Sequence, residues 1–224
     1  LSTEKEGYIT VYEQGASLPV SLNFEDSTLA EGFYYYNPRR DEQWRQTRIV
    51  GGGGKSQGSL MFPNFENAVL NSTDALISPV MNFRSGTETT LSFDLAYAAF
   101  DERYADTLGI YIATGCDGVF RNIYYKGGTQ LATTDPTRIE FTPNPNEWRR
   151  EKIDLRDFDQ FEWVQIAIVN FSSHGNNLFL DNLEIASIPK PAPVPDMVLS
   201  TDSICPGDTI QFLDQSINDP TSWV

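Results

Sequence analysis

The chain has 224 residues, 40% of them hydrophobic and 12% aromatic, which is enough apolar material to bury a sizeable core and excludes a disordered tail. Its 31 acidic residues outweigh 16 basic ones, and the formal charge of −15 repels phosphate backbones and anionic lipid while favouring cations. No apolar run approaches the ~18 residues of a membrane-spanning helix, and Leu1 opens no basic-then-apolar signal, so neither nucleic acid nor membrane insertion is expected.

In chain order, Val20, Leu22 and Phe24 form the first alternating stretch. Leu91, Phe93, Leu95 and Tyr97 alternate with Thr90, Ser92, Asp94 and Ala96, and Leu108, Ile110 and Ile112 alternate with Thr107, Gly109 and Tyr111. Val164, Ile166 and Ile168 repeat the pattern, as do Phe179, Leu183 and Ile185. This period of two is that of strands with one face buried. Turn-rich stretches separate the runs at Gly115–Gly118, Lys126–Gly128 and Ser172–Asn177. No segment holds a helical period for three turns, so βαβ architectures fall away and two stacked antiparallel sheets remain.

Pro189, Pro191, Pro193 and Pro195 then fall within seven residues, each fixing φ and removing a backbone donor. The segment from 189 to 196 reads as a linker, and a new strand pattern starts at Ser203-Ile204-Cys205-Pro206-Gly207-Asp208-Thr209-Ile210-Gln211-Phe212. The expected organisation is a sandwich over residues 15–188 and a separate unit from 197, within a longer beads-on-a-string protein. Cys116 and Cys205 fall in different units and are expected to stay unpaired.

Several motifs together carry a resemblance. Phe24-Glu25, Asp74-Ala75-Leu76-Ile77-Ser78-Pro79, Leu91 to Ala98, Tyr104 to Tyr111, Gly115-Cys116-Asp117-Gly118, Trp148 before Ile153-Asp154-Leu155, and Gly175 to Asn182 follow one order and approximate spacing. In this the chain resembles the jelly-roll domains, related to MAM and cleaved-adhesin modules, of secreted Bacteroidota proteins. Cys205 to Phe212, with Asp214, Ser216 and Ser222-Trp223, resembles the first half of an immunoglobulin-like PKD domain, and Gly7 to Tyr12 resembles the last strand of a preceding one. The PKD, jelly-roll, PKD order resembles the region after the catalytic domain of pappalysin-type metalloproteases and parts of surface adhesins, which often use type IX secretion. The resemblance implies a secreted or cell-surface location and a non-catalytic role.

Asp181 shares the parity of Phe179, Leu183 and Ile185, so a regular strand turns its carboxylate to the apolar side. Unpaired burial costs several kcal/mol, so a cation or a set of donors is required. In the resembling modules an acidic residue near the first strand and one in the last strand hold a structural calcium. That implies Glu25 and Asp181 as ligands, with Asp26 and Asp94 as further candidates and backbone carbonyls completing the six to eight oxygens calcium takes. The competing reading ties Asp181 to arginine and backbone amides. A second acidic run, Asp101 to Asp106, lacks calcium-loop spacing and reads as a solvated loop. Tyr34-Tyr35-Tyr36, Trp44 and Tyr104 are candidates to stack on sugar rings.

Catalytic patterns fail. Gly51-Gly52-Gly53-Gly54-Lys55-Ser56 has Ile49 where a phosphate loop needs its first glycine, and Gly58 and Pro63 where its helix belongs, so a flexible loop is expected. His174 is the single histidine, which excludes a two-histidine zinc helix, and Ser172 and Ser173 beside it are too close in sequence for a converging triad. Two functions remain: an adhesion module for a glycan or an extracellular protein, and a spacer that positions neighbouring domains. An exposed aromatic strip on a sheet face favours the first, a smooth polar face the second.

Overall fold

The computed structural model describes residues 15–26, 28–54, 56–67, 69, 72–115 and 117–218. The expected strand over Gly7 to Tyr12, Cys116 and the pair Ser222-Trp223 lie outside them; Cys205 is a free, exposed thiol. The chain divides into two compact units, one ending at Ile188 and one beginning at Pro189.

The first unit is an antiparallel jelly-roll sandwich. Its strands are β1 (Val20–Leu22), β2 (Tyr34–Tyr36), β3 (Arg45–Thr47), β4 (Ser59–Phe62), β5 (Thr73–Ile77), β6 (Gly86–Tyr97), β7 (Thr107–Thr114), β8 (Arg121–Gly127), β9 (Arg149–Asp154), β10 (Val164–Phe171) and β11 (Leu178–Pro189), with a single helical turn α1 (Gly128–Leu131) after β8. One sheet runs β3-β4-β11-β6-β9, with β1 pairing β11 off the path; the other runs β2-β5-β10-β7-β8.

The alternation seen in the sequence makes the core. Leu91, Phe93, Leu95 and Tyr97 of β6 and Leu178, Leu180, Leu183 and Ile185 of β11 meet Leu108, Ile110 and Ile112 of β7 and Val164, Ile166 and Ile168 of β10. Ile166 lies opposite Ile112 and Ile168 opposite Ile110, the cross-strand pairing that stabilises a sheet. Burying each such side chain contributes about 1.5–3 kcal/mol.

One expectation fails in an informative way. Leu178 and Leu180 face the core, and so do Leu183 and Ile185, which a regular strand forbids. The parity changes at Asn182, whose φ is 48°, as a bulge in the strand requires. Phe179 and Asp181 therefore do not share the side of Leu183 and Ile185. Phe179 packs in a second cluster with Met61, Ala96, Ala98 and Phe141, on the outer face of the six-stranded sheet.

In the second unit β12 (Met197–Leu199) pairs with β13 (Phe212–Asp214), and every residue of both strands is exposed, Phe212 and Leu213 included.

Candidate functional site

Two features of the sandwich have the makings of a site: an apolar face on one sheet and a carboxylate pocket on the other. On the five-stranded sheet, the residues alternating with the core point outward. Ala75, Ile77, Ala167 and Val169 of β5 and β10 cluster there with Tyr111, Phe120 and Phe171. Together with Tyr34, Tyr36 and Thr73 they line a groove of about 490 Å³. With strands about 4.8 Å apart, the aromatic walls on β2 and β7 stand roughly 14 Å apart over a floor of small side chains. Tyr36 is 55% exposed and Tyr34 49%, while Tyr35 between them packs against the core, as strand alternation demands. Tyr125 of β8 packs on Phe171 with ring centroids 5.7 Å apart and extends the far wall. Aromatic faces and hydroxyl tips over an apolar floor suit a ligand with an apolar face and a polar edge.

Of the predicted stacking residues, Tyr34 and Tyr36 belong to this face, and Tyr35 between them turns to the core. Trp44 is fully buried, packs edge-on to Phe62 at 5.4 Å and donates its indole N–H to the Asp74 carbonyl at 3.2 Å, so no sugar reaches it. Its position ahead of β3 turns the ring into the core. Tyr104 is 44% exposed but sits elsewhere, in edge contact with Phe100 and His174. Tyr111, Phe120 and Phe171 were missed; strand parity marks Tyr111 and Phe171 as outward, and nothing local tells a binding aromatic from one that covers a sheet edge.

The second feature lies on the outer face of the six-stranded sheet, beneath the loop from Gly51 to Gly58. Glu25, Asp94, Gly52, Gly53, Ser56, Asn23 and Asn182 line one pocket, and Asp181 is buried at its base. The Asp181 carboxylate accepts hydrogen bonds from Gly52 N–H at 2.6 Å, Ser56 hydroxyl at 2.6 Å and Asn182 N–H at 2.7 Å. Burial, only partly offset by these donors, holds its pKa above the ordinary carboxylate range. Glu25 Oε1 accepts from the N–H groups of Gln57 and Gly58, and the Ser56 hydroxyl, first, together with those N–H groups lowers its pKa. Asp94 is committed elsewhere, to Arg150 at 3.2 Å and to the Asn182 side-chain amide at 2.8 Å. Asp26 is exposed and does not line the pocket.

The donor count at Ser56 tests whether these residues suit a cation. Its hydroxyl stands 2.7 Å from the Gly58 carbonyl, 2.6 Å from Asp181 Oδ2, and also bonds the Glu25 carboxylate. One hydroxyl has one proton, so at most one of three acceptors is served and the others meet lone pair to lone pair. Calcium takes oxygen clusters of this kind, though here it would share the two carboxylates with the N–H groups of Gly52, Gln57, Gly58 and Asn182, the backbone-amide partners of the competing reading. Among the described residues, no three acidic, histidine or cysteine side chains gather for a metal. Ser56 Oγ and backbone carbonyls would have to complete the set.

The glycine-rich loop, expected to be flexible, lies against the carboxylates at Gly52. It packs so closely that a Cβ on Gly52 would stand 2.8 Å from Asp94 Oδ2 and 3.1 Å from Asp181 Oδ2. The acidic run also departs from a solvated loop at its last residue. Asp106 is fully buried, accepting from the N–H groups of Ser173, Gly175 and Asn176 and from the Tyr97 hydroxyl. It fixes the turn that carries His174, whose Nδ1 lies 3.1 Å from the Asn67 carbonyl.

No protein-family model matches the sequence, and no curated protein does. Solved structures do match. The K1 cleaved adhesin domain of Lys-gingipain from Porphyromonas gingivalis W83 aligns over 76% of this chain and 98% of its own, with 19% identity and a TM-score of 0.56. The K3 domain of the same protein aligns over 75% and 98%, with 17% identity and a TM-score of 0.53. The chain has the fold of a cleaved adhesin domain. The K2 domain of Lys-gingipain matches over 75% and 97%, with 14% identity and a TM-score of 0.51. At such identities the likeness is one of fold, and any ligand must be argued from the side chains on this chain.

Proposed function

We propose that residues 15–188 form a non-catalytic, calcium-stabilised binding module of a larger secreted or cell-surface protein, whose ligand lies across the outer face of the five-stranded sheet. The observation that carries this reading is the groove walled by Tyr34 and Tyr36 on one side and Tyr111, Phe120 and Phe171 on the other. A smooth polar face there would have favoured a spacer. The ligand class is a glycan: sugar rings offer C–H faces to the aromatic walls and hydroxyls to Thr73 and the tyrosine hydroxyls. A single open groove of this kind gives affinities of millimolar to micromolar order, about 4–8 kcal/mol, so adhesion draws on neighbouring modules. Adhesin domains share the fold, which is consistent with such a role.

Calcium enters as a structural ion held by Glu25 and Asp181 with Ser56 Oγ and the Gly58 carbonyl. It would cancel the crowded acceptors and pin the loop between β3 and β4 to the sheet. The chain from Pro189 reads as part of a PKD-like sandwich, on the resemblance of Cys205 to Phe212, with Asp214 and Ser216, to that family. No helix among the described residues is long and apolar enough to cross a membrane.

The test is binding of the whole chain to immobilised plant, fungal and bacterial polysaccharides and to matrix proteins, alongside Tyr36→Ala. Retention on at least one glycan, lost in the variant, is expected. Retention on matrix protein alone would replace the glycan with a protein ligand, and retention on nothing would return the spacer.

A further inference from the structure

A second group of oxygens lacks hydrogen-bond donors on the inner side of the same sandwich. Asp74 on β5 is 1% exposed. Its Oδ2 accepts from the Ser72 hydroxyl at 3.0 Å, and no group of the described residues donates to its Oδ1. Both carboxylate oxygens of Asp41, Asn37 Oδ1 and Gln46 Oε1 are likewise buried without a donor.

Strand register brings these residues toward one place. Tyr36 of β2 pairs with Ala75, so the next step sets Asn37 opposite Asp74, and both take the inward parity of Tyr35 and Leu76. The Asn37 side-chain amide donates to the Asp41 backbone carbonyl at 2.9 Å, which curls the loop after β2 back over the strand end. Gln46 pairs with Leu60, a core residue, and so faces inward from the other sheet. Trp44 ties the two sheets here through its bond to the Asp74 carbonyl. Asp41 and Arg39 both lie close enough to Asp74 for their charges to act on it, in opposite senses.

We infer that Asp41 and Asp74, with the side-chain carbonyl oxygens of Asn37 and Gln46, form a second site for a hard divalent cation of the calcium class. Four side chains present five buried acceptor oxygens that receive no hydrogen bond from the described residues, the Asn37 amide donating instead to the Asp41 backbone carbonyl. Nitrogen and sulfur ligands are missing from the group, which selects calcium over zinc. Asn37 and Asp41 also line an open depression of about 460 Å³ with Arg40, Glu42, Gln43 and Arg45, which gives an ion a way in from solvent. The site is independent of the Glu25–Asp181 pocket, which lies on the outer face of the other sheet.

The test is calorimetric titration of calcium chloride into the chelator-stripped whole chain, with Asp41→Asn and Asp181→Asn run in parallel. Wild type should bind two equivalents, Asp41→Asn should lose one, and Asp181→Asn should retain the equivalent that Asp41→Asn loses. Asn37→Ala, in the exposed-side loop, gives a second variant that weakens the same equivalent if Asp41→Asn proves unstable. An Asp41→Asn isotherm that superimposes on wild type overturns the site. Calcium-independent melting combined with marked destabilisation by Arg39→Ala also overturns it, because the arginine would then be the counter-charge. Loss of binding in Asp41→Asn with none in Asp181→Asn would sink the first pocket and leave this one standing.

Discussion

Glu151 is a charge pointed into the sandwich from an edge strand. It is 8% exposed, lies opposite Phe93 on β6, and is held by Lys126 from the edge strand of the other sheet at 2.8 Å and by Arg149 at 2.7 Å. An inward charge at an edge discourages pairing with a second chain, and this one also clips the two sheets together. Arg149 extends the clip by donating to the carbonyls of Gln130, Leu131 and Ala132 at the end of α1. Burial alone would raise the Glu151 pKa, but the hydrogen bonds and charges of Lys126 and Arg149 outweigh it and bring the value below the ordinary 4.5. A depressed carboxylate stabilises the fold above its unfolded pKa, and that contribution disappears as pH falls through the folded value. Because both basic partners are over a third exposed, screening reduces the effect, and Glu151→Gln should cost about 1–2 kcal/mol at pH 7. The difference between the two proteins in urea denaturation should close as pH drops below 4.5; a gap that stays constant down to pH 3 would deny the ionic origin. At this scale the sequence is a poor guide. Asp181 reads as core-facing by simple alternation, and only the left-handed backbone at Asn182 shows that its carboxylate leaves on the other side.

Among the elements, the loop joining β3 to β4 carries the contact that its sequence shows least. Its run of glycines reads as mobile because no side chain declares a contact. The glycines are there because backbone must approach carboxylates: Gly52 N–H touches Asp181, and Gly53 adopts φ 63°. Sequence reasoning could name Glu25 and Asp181 but not Ser56 and Gly58, whose part is set by a fold-back across 125 residues of chain. Gly52→Ala should lift the loop, costing about 1–3 kcal/mol through steric strain. If calcium binds only the folded state, 100 times its dissociation constant should add ~2.7 kcal/mol to wild type. Asp181→Asn and Gly52→Ala should each lose most of that increment in calcium-dependent melting. Equal melting of wild type in excess chelator and excess calcium would count against both cation sites.

For the molecule as a whole, the two-sheet architecture was legible because period-two alternation survives in β6, β7 and β10, each with an unbroken apolar face. Strand β1 was read from Val20, Leu22 and Phe24, but β2 and β3, three residues each, were not, since so few residues cannot show a period. The proline-rich stretch coincides with the division at Ile188 and Pro189, and limited proteolysis should cut between Ile188 and Asp196 while sparing the sandwich. Early cleavage within β7 would contradict that boundary. The central claim is that ligand lies across the five-stranded sheet. It is tested most directly by measuring the dissociation constant of the retained polysaccharide for wild type, Tyr36→Ala, Phe171→Ala and Tyr104→Ala. Opposite walls of one groove should each matter, so Tyr36→Ala and Phe171→Ala should each weaken binding about tenfold, near 1.4 kcal/mol, with Tyr104→Ala unchanged. Loss confined to Tyr104→Ala, with both groove variants at wild-type affinity, would move the site off this sheet.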